Sequence, residues 1–431
     1  MDVMDWAVGD LLGLRIPAHS EALRAGGVAF LTAAFQATGA LSADNRVKQI
    51  TQFEECPGGS TGRKLLLSVE YERPAPGLHT NLFVKFSRDF DDALRDRARI
   101  QMELEVRFAL LSRIPEFPIA VPVCYCADYH HGSGTGILIT ERVPFGKGSI
   151  ERHYPKCMDH LLPNPLEHYQ ALVTALARLA GTDKAGRLGN VAAQFPFEPE
   201  KLAVSERPPY TAKQLQNRIA RYADFAAEFP QLLPANIRSP AFTTKLSQDV
   251  ARFPEHMPAI NRFLGSKPAF VALCHWNANI DNAWFWQASE GRLRCGLLDW
   301  GHVSQMNLAM ALWGSLSGAR TELWDDHLDA LLALFIQEFQ GCGGPPLDAW
   351  ELKLHLELYV AMMGLTWLLD TPPLIKQRIP DLAQAKGPLD ECILADELSR
   401  SQLQMMTNFL NFWERQDFGR ALDQFLLRAQ S

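Results

Sequence analysis

The spacing of hydrophobic and polar positions changes character several times along the chain. Ser20-Glu21 opens a segment in which Val28, Phe30, Leu31, Ala34 and Phe35 recur at helical spacing, so 1–45 reads as a helical extension that packs on a lobe. From 47 the period shortens. Segments 47–55 and 64–71 read as strands around the turn Cys56-Pro57-Gly58-Gly59-Ser60-Thr61-Gly62-Arg63, and 81–86 as a third strand with Lys85 near its end. A helix is expected over 89–113, then strands at 121–128 and 137–143 joined by a Gly-rich hairpin that carries His130-His131.

Beyond Pro144 the pattern is mainly helical. Segment 166–181 places Leu172, Leu176 and Leu179 on one face. Further helices are expected near 212–228, 242–264, 307–318, 324–341, 347–369 and 391–428, with Pro372-Pro373 and Gly387-Pro388 as breakers. One stretch interrupts this run. Over 269–301 a strand ending at Leu273-Cys274-His275 enters the polar loop Trp276-Asn277-Ala278-Asn279-Ile280-Asp281-Asn282, and two short strands follow, with Asp299 at the exit.

A length of 431 residues suits two lobes or domains, and 47% hydrophobic with 21% charged residues is ordinary for a globular chain. A net charge of −7 argues against a nucleic-acid partner. Eight scattered cysteines without C-x-x-C or zinc spacing read as reduced thiols, hence a cytoplasmic setting. The start Met1-Asp2-Val3-Met4-Asp5 is acidic where a secretory signal begins basic, and no apolar run was expected to reach the roughly 18–20 residues of a membrane span. No fixed-period repeat stands out.

Three features carry candidate chemistry. Backbone N–H groups of the turn Gly58, Gly59, Ser60, Thr61 and Gly62 suit a close approach to phosphates, although the spacing is not that of a Walker A loop and a plain turn also explains it. Lys85, between apolar neighbours on a strand, needs a partner, and the following helix offers Glu105 or, on another face, Glu103. Asn282 and Asp299 supply an amide oxygen and a carboxylate, the hard ligands that magnesium takes when phosphates complete its shell.

Together these residues resemble the aminoglycoside phosphotransferase and choline kinase group of the protein-kinase-like fold. His275, Asn282 and Asp299-Trp300 fall where that family has its His-x-Asp loop, the Asn five residues after the Asp, and an Asp followed by an aromatic; Glu105-Val106-Arg107-Phe108 resembles its Glu-x-x-Phe/Tyr signature. The resemblance implies an α+β fold of two lobes: a small antiparallel-sheet N-lobe over 46–143 and a large, mostly helical C-lobe over 144–431. It implies an ATP-dependent phosphotransferase with Mg2+, acting on a hydroxyl of a small-molecule acceptor, with no nucleic acid and no membrane as partner. Lys85 and Glu105 would then form the ion pair at the nucleotide phosphates, Glu141 to Val143 would meet the adenine, and Asn282 and Asp299 would hold the metal.

The chain departs from that pattern at informative places. The family's catalytic Asp is Asn277 and the Gly before it is Trp276. An amide takes no proton, so Asn277 would only position a hydroxyl through its oxygen; Asp281, more readily a solvated turn residue, or His302 would be the substitute base. The acid that normally braces the loop a dozen residues after Asp299 is missing, and Asn307 is the candidate stand-in. A pseudokinase that binds nucleotide or metabolite, or a kinase-fold nucleotidyl transferase, therefore stands beside the phosphotransferase. The acids Glu322, Asp325, Asp326 and Asp329 read as a solvated helix face more readily than as a cationic-substrate site.

Overall fold

The computed structural model describes residues 5–56, 62–90, 92, 95–198 and 210–429. The turn residues Gly58, Gly59, Ser60 and Thr61 lie outside them. The chain forms two compact units, Met1–Glu151 with Gly296–Val303, and Arg152–Cys295 with Ser304–Ser431. The architecture is α+β, with an antiparallel sheet in the first unit and a largely helical second unit.

The first unit begins with a small hairpin of β1 (Trp6–Val8) and β2 (Arg15–Pro17), then α1 (Ser20–Ala37). Five strands follow: β3 (Val47–Cys56), β4 (Lys64–Tyr71), β5 (Asn81–Phe86), and, after α2 (Arg95–Leu111), β6 (Cys124–His130) and β7 (Thr135–Glu141). They form one antiparallel sheet in the order β3-β4-β5-β7-β6. Because side chains alternate along a strand, the sheet has two distinct faces. On one, Leu65, Leu67, Val69, Leu82, Val84, Phe86, Ile137 and Ile139 pack with Leu23, Leu31, Ala34 and Phe35 of α1. The segment expected as a helical extension thus covers one face of the sheet. On the other, Leu138 packs with Met102, Val106 and Ala109 of α2. Lys85 is the register partner of Leu138, so strand geometry turns it toward the α2 face.

The second unit contains α3 (Pro165–Lys184), α4 (Val191–Gln194), α5 (Ala212–Glu228), α6 (Pro240–Val250) and α7 (Phe253–Ser266). The strands β8 (Val271–His275), β9 (Ala283–Gln287), β10 (Leu293–Leu297) and β11 (Val303–Asn307) pair as β8–β11 and β9–β10. Then come α8 (Leu308–Leu316), α9 (Thr321–Gly341), α10 (Ala349–Trp367), α11 (Thr371–Arg378), α12 (Glu391–Leu394), α13 (Glu397–Gln416) and α14 (Phe418–Ala429).

Two expected helices are in fact several. The 242–264 segment divides between α6 and α7, where Pro254 starts a new helix as prolines do at the first turn. The 391–428 segment divides into three: Asp396 caps α13 by accepting the Ser399 N–H, and Asp417 ends it in the left-handed region at φ +53°. The apolar period runs through these breaks, so it hides them. The expectation that no stretch is long and apolar enough for a membrane span also needs correction. Ala349–Arg378 meets that test with a mean hydropathy of 1.3, but 78% of its apolar window is buried within the protein, as in a core helix.

Candidate functional site

In the first unit, Lys85 is buried and its Nζ donates to Glu105 Oε2 at 2.6 Å and to Asp299 Oδ1 at 2.8 Å. The helical partner is Glu105; Glu103 instead pairs with Arg107 and His131. Burial alone would lower the Lys85 pKa, but the Glu105 and Asp299 carboxylates outweigh it and hold the ammonium above the ordinary lysine value. Two carboxylates face one ammonium. An arrangement with that surplus of negative charge favours a further cation beside it.

Asp299 has φ +62°, a conformation that costs a non-glycine residue of order 1–2 kcal/mol. Its neighbours hold it there. Leu297 N donates to the Ala120 carbonyl at 3.0 Å, Trp300 Nε1 donates to the Leu297 carbonyl, and the Trp300 ring stacks on Phe108 with centroids 3.7 Å apart. Phe108 ends the Glu-x-x-Phe signature, so one helix both pairs Lys85 and anchors the residue after Asp299. The other flank of the sheet face carries Lys64, directly opposite Lys85 in register, which the sequence reading passed over.

At the end of β7 the Glu141 N–H donates to the Val123 carbonyl and the Arg142 N–H to the Asn81 carbonyl, while the Val143 carbonyl accepts from Phe145. Those groups are taken. Among the described residues no bond is made to the Val143 N–H, which with the second lone pair of the Glu141 carbonyl, already accepting the Thr140 hydroxyl at 3.0 Å, forms an acceptor–donor pair suited to the edge of a purine. The Glu141 carboxylate accepts the Val123 N–H at 3.1 Å and so fixes strand ends. Gly62 is buried with its Cα against β5: a Cβ there would lie 1.8 Å from the Phe86 carbonyl oxygen. Close backbone packing thus requires glycine at 62, whatever the turn before it binds.

In the second unit the loop after β8 is built around Asn277. His275 is fully buried and its Nδ1 accepts the Asn277 N–H at 3.1 Å. The Asn277 carbonyl accepts from Asn279 N at 2.9 Å and from Asn282 Nδ2 at 2.8 Å. Since the Asn282 amide nitrogen is spent in this way, its oxygen is the atom left for a hard cation. Asn282 and Asp299, the two expected metal ligands, belong to different units.

The side chain of Asn277 is engaged as well. Its Oδ1 accepts from Asn279 Nδ2 at 2.7 Å and from Lys156 Nζ at 3.4 Å. Lys156 had no place in the sequence reading, and nothing near it in sequence pointed to the loop. Asp281 is not the solvated turn residue that is the readier expectation: its Oδ1 is buried without a partner among the described residues, and burial pushes its carboxyl up, with Lys156 acting in the opposite direction. His302 is exposed beside Gln101 in the first unit.

The bracing of this loop also differs from expectation. Asn307 does not reach it; its Oδ1 caps α8 at Ala309 N and its Nδ2 donates to the Leu264 carbonyl, 2.7 Å away, and lies 2.9 Å from His355 Nδ1. Instead Asp183 of α3 accepts the Leu273 N–H at 2.7 Å, Trp276 Nε1 donates to the Tyr359 hydroxyl at 2.8 Å, and Gly314 of α8 lets the Trp276 carbonyl approach the helix backbone. The acids of α9 are surface groups, with Glu322 on Arg320, Asp325 on Arg415 and Asp329 on Lys353.

No protein-family model matches the chain, and no curated protein matches it in sequence. Solved structures similar to it include a Plasmodium vivax ethanolamine kinase (16% identity, 78% of each chain covered, TM-score 0.39). A choline kinase from Cryptosporidium parvum is 14% identical over 86% of this chain and 90% of its own, with a TM-score of 0.42. A microcompartment-associated aminopropanol kinase is 12% identical over 86% and 94%, with a TM-score of 0.45. At such identities and scores the chain's own residues must carry the function.

Proposed function

We propose that the chain is an ATP-dependent phosphotransferase with Mg2+ as its metal and a small molecule as acceptor. The observation that carries this reading is the buried Lys85 held between Glu105 and a backbone-strained Asp299. A lysine whose cost of burial is met by two carboxylates is poised to exchange part of that contact for phosphate oxygens. The Glu141 carbonyl and Val143 N–H take the base edge. The carboxylate of Asp299 and the amide oxygen of Asn282 are each a donor type that magnesium takes, and the metal would neutralise charge on the phosphate oxygens.

Asn277 supports a second reading. With an amide at 277 whose oxygen already has two donors, the loop offers no base there, as a nucleotide-binding pseudokinase would not need one. Thermal unfolding with ATP, with and without magnesium, tests the nucleotide site. A ligand at a hundred times its dissociation constant stabilises the native state by about 2.7 kcal/mol. The expected result is a magnesium-dependent rise in Tm that Lys85→Ala and Asp299→Ala each abolish. No rise at millimolar ATP refutes both readings, and ADP release with an acceptor separates the first from the second.

A further inference from the structure

The hydroxyl acceptor expected from the sequence needs a group that takes its proton. The loop is wired the other way. A lysine ammonium only donates, so the Asn277 atom 3.4 Å from Lys156 Nζ is the amide oxygen, and the same oxygen takes the Asn279 amide at 2.7 Å. Turning Asn277 over would point its N–H groups at the Lys156 ammonium, which can only donate. Its remaining polar group is therefore the NH2, a donor. Lys156 carries three N–H donors, of which Asn277 takes one. Position 277 itself thus presents N–H groups beside a cation, with the buried Asp281 carboxyl near the same lysine.

The lysine is held in place by the fold. Arg400, itself 8% exposed on α13, donates from Nε to the Lys156 carbonyl at 2.9 Å, and from Nη1 to the Leu394 carbonyl at 2.8 Å. The next residue, Cys157, has φ +57°, a left-handed conformation held at a non-glycine position. Backbone strain of this kind persists only where the surroundings fix it. Tyr154, two residues earlier, is buried against His168 and Phe285.

We propose that the acceptor is an oxyanion, a carboxylate or phosphate oxygen already ionised at neutral pH, held by the Asn277 amide N–H groups and the Lys156 ammonium. This rests on the phosphotransferase reading and narrows it. Such an acceptor has no proton to lose, so an amide in place of a carboxylate costs nothing in base catalysis and removes a repulsive charge. The acceptor oxygen's lone pair forms the new O–P bond at the γ-phosphorus. The bond from that phosphorus to the β–γ bridging oxygen breaks, and its electron pair leaves on ADP. The product is an acyl phosphate from a carboxylate or a diphosphate linkage from a phosphate, and no proton moves.

The test uses the full chain, after its MgATP-dependent stabilisation has been measured. ADP release is followed with acetate, succinate and glutamate as carboxylates, with inorganic phosphate and glycerol 3-phosphate as phosphates, and with glycerol, choline and ethanolamine as alcohols. Hydroxylamine traps an acyl phosphate as a hydroxamate, and phosphorus NMR identifies a diphosphate, so the two sources separate. The expected result is turnover in one oxyanion arm. Asn277→Asp should lower kcat/KM there by about a hundredfold through like-charge repulsion. Lys156→Gln should raise KM for the oxyanion with MgATP stabilisation kept, and Lys156→Arg should restore it in part. Turnover confined to alcohols, with Asn277→Asp keeping or raising it, overturns the proposal. So does an absence of turnover in every arm while MgATP still stabilises, which leaves the nucleotide site standing. Loss of MgATP stabilisation itself overturns the phosphotransferase reading and this proposal with it.

Discussion

Replacing Lys85 by methionine gives the sharpest test of the first unit. The side chains of Lys85 and Glu105 are 3% and 6% exposed, whereas Asp299 is 32% exposed. Removing the ammonium leaves Glu105 as an unpaired buried charge, and breaking such a pair from one side costs about 3–5 kcal/mol. Asp299 contributes little to that cost, because water reaches it and screens the interaction. At about 2–4 °C per kcal/mol for a unit of this size, Lys85→Met should lower Tm by roughly 10 °C. The double variant Lys85→Met/Glu105→Leu should recover at least half, since an apolar pair of similar volume replaces a buried ion pair without penalty. Asp299→Asn should stay within about 1 kcal/mol, because it keeps an acceptor for Lys85 and asparagine tolerates the left-handed backbone. Calorimetry without nucleotide reads all four proteins. A Lys85→Met variant within about 2 °C of the parent, or a double variant no better than the single, would refute the buried-pair account.

Gly314→Ala would place a Cβ 1.5 Å from the Trp276 carbonyl oxygen, so the loop after β8 must shift; a Tm loss equivalent to about 1–3 kcal/mol is expected, and under the proposed function a loss of MgATP-dependent turnover beyond what the Tm change explains. Gly62→Ala meets the Phe86 carbonyl at 1.8 Å and should destabilise by a similar amount, visible as a lower Tm. Glu357, 8% exposed in α10, has its carboxyl pushed up to about 7 by burial, against the pull of Lys353 and Arg420. The native state then binds that proton more tightly than the unfolded chain, so stability is greatest below the ordinary glutamate value of about 4.5, falls as pH rises toward 7, and is flat above. Glu357→Gln should flatten that slope and stabilise at pH 8 by up to about 3 kcal/mol, measured by urea titration across pH.

Much of the site was legible because the chemistry forces particular residue types at particular spacings. A lysine between apolar neighbours on a strand had to find a carboxylate, and a helix glutamate was the economical partner. Strand alternation put Lys85 on the face away from Leu82, Val84 and Phe86. The five-residue step from Asn277 to Asn282 closes one small loop, where the second amide binds the first residue's carbonyl. What the sequence misjudged were relations set by packing. Asn307 had the right place in the chain to brace the loop, but β11 delivers it to His355 and Leu264, and Asp183 does the bracing. Asp281 looked like a solvated turn residue because polarity in a loop says nothing about what covers it.

By itself the sequence determined the local elements, the alternation that gives the sheet two faces, and the kinds of atom offered at Lys85, Glu105, Asn277, Asn282 and Asp299. These follow from side-chain period and donor inventory, which are properties of a few neighbouring residues. Tertiary structure decided that α1 covers a sheet face, that Phe108 clamps Trp300, and above all that Lys156 meets Asn277 across 121 residues of sequence. No local pattern encodes such a meeting, because a single ion or hydrogen bond between distant segments is fixed by the packing of everything between them. Yet that one contact occupies the amide oxygen that the sequence offers as the acceptor for a substrate hydroxyl.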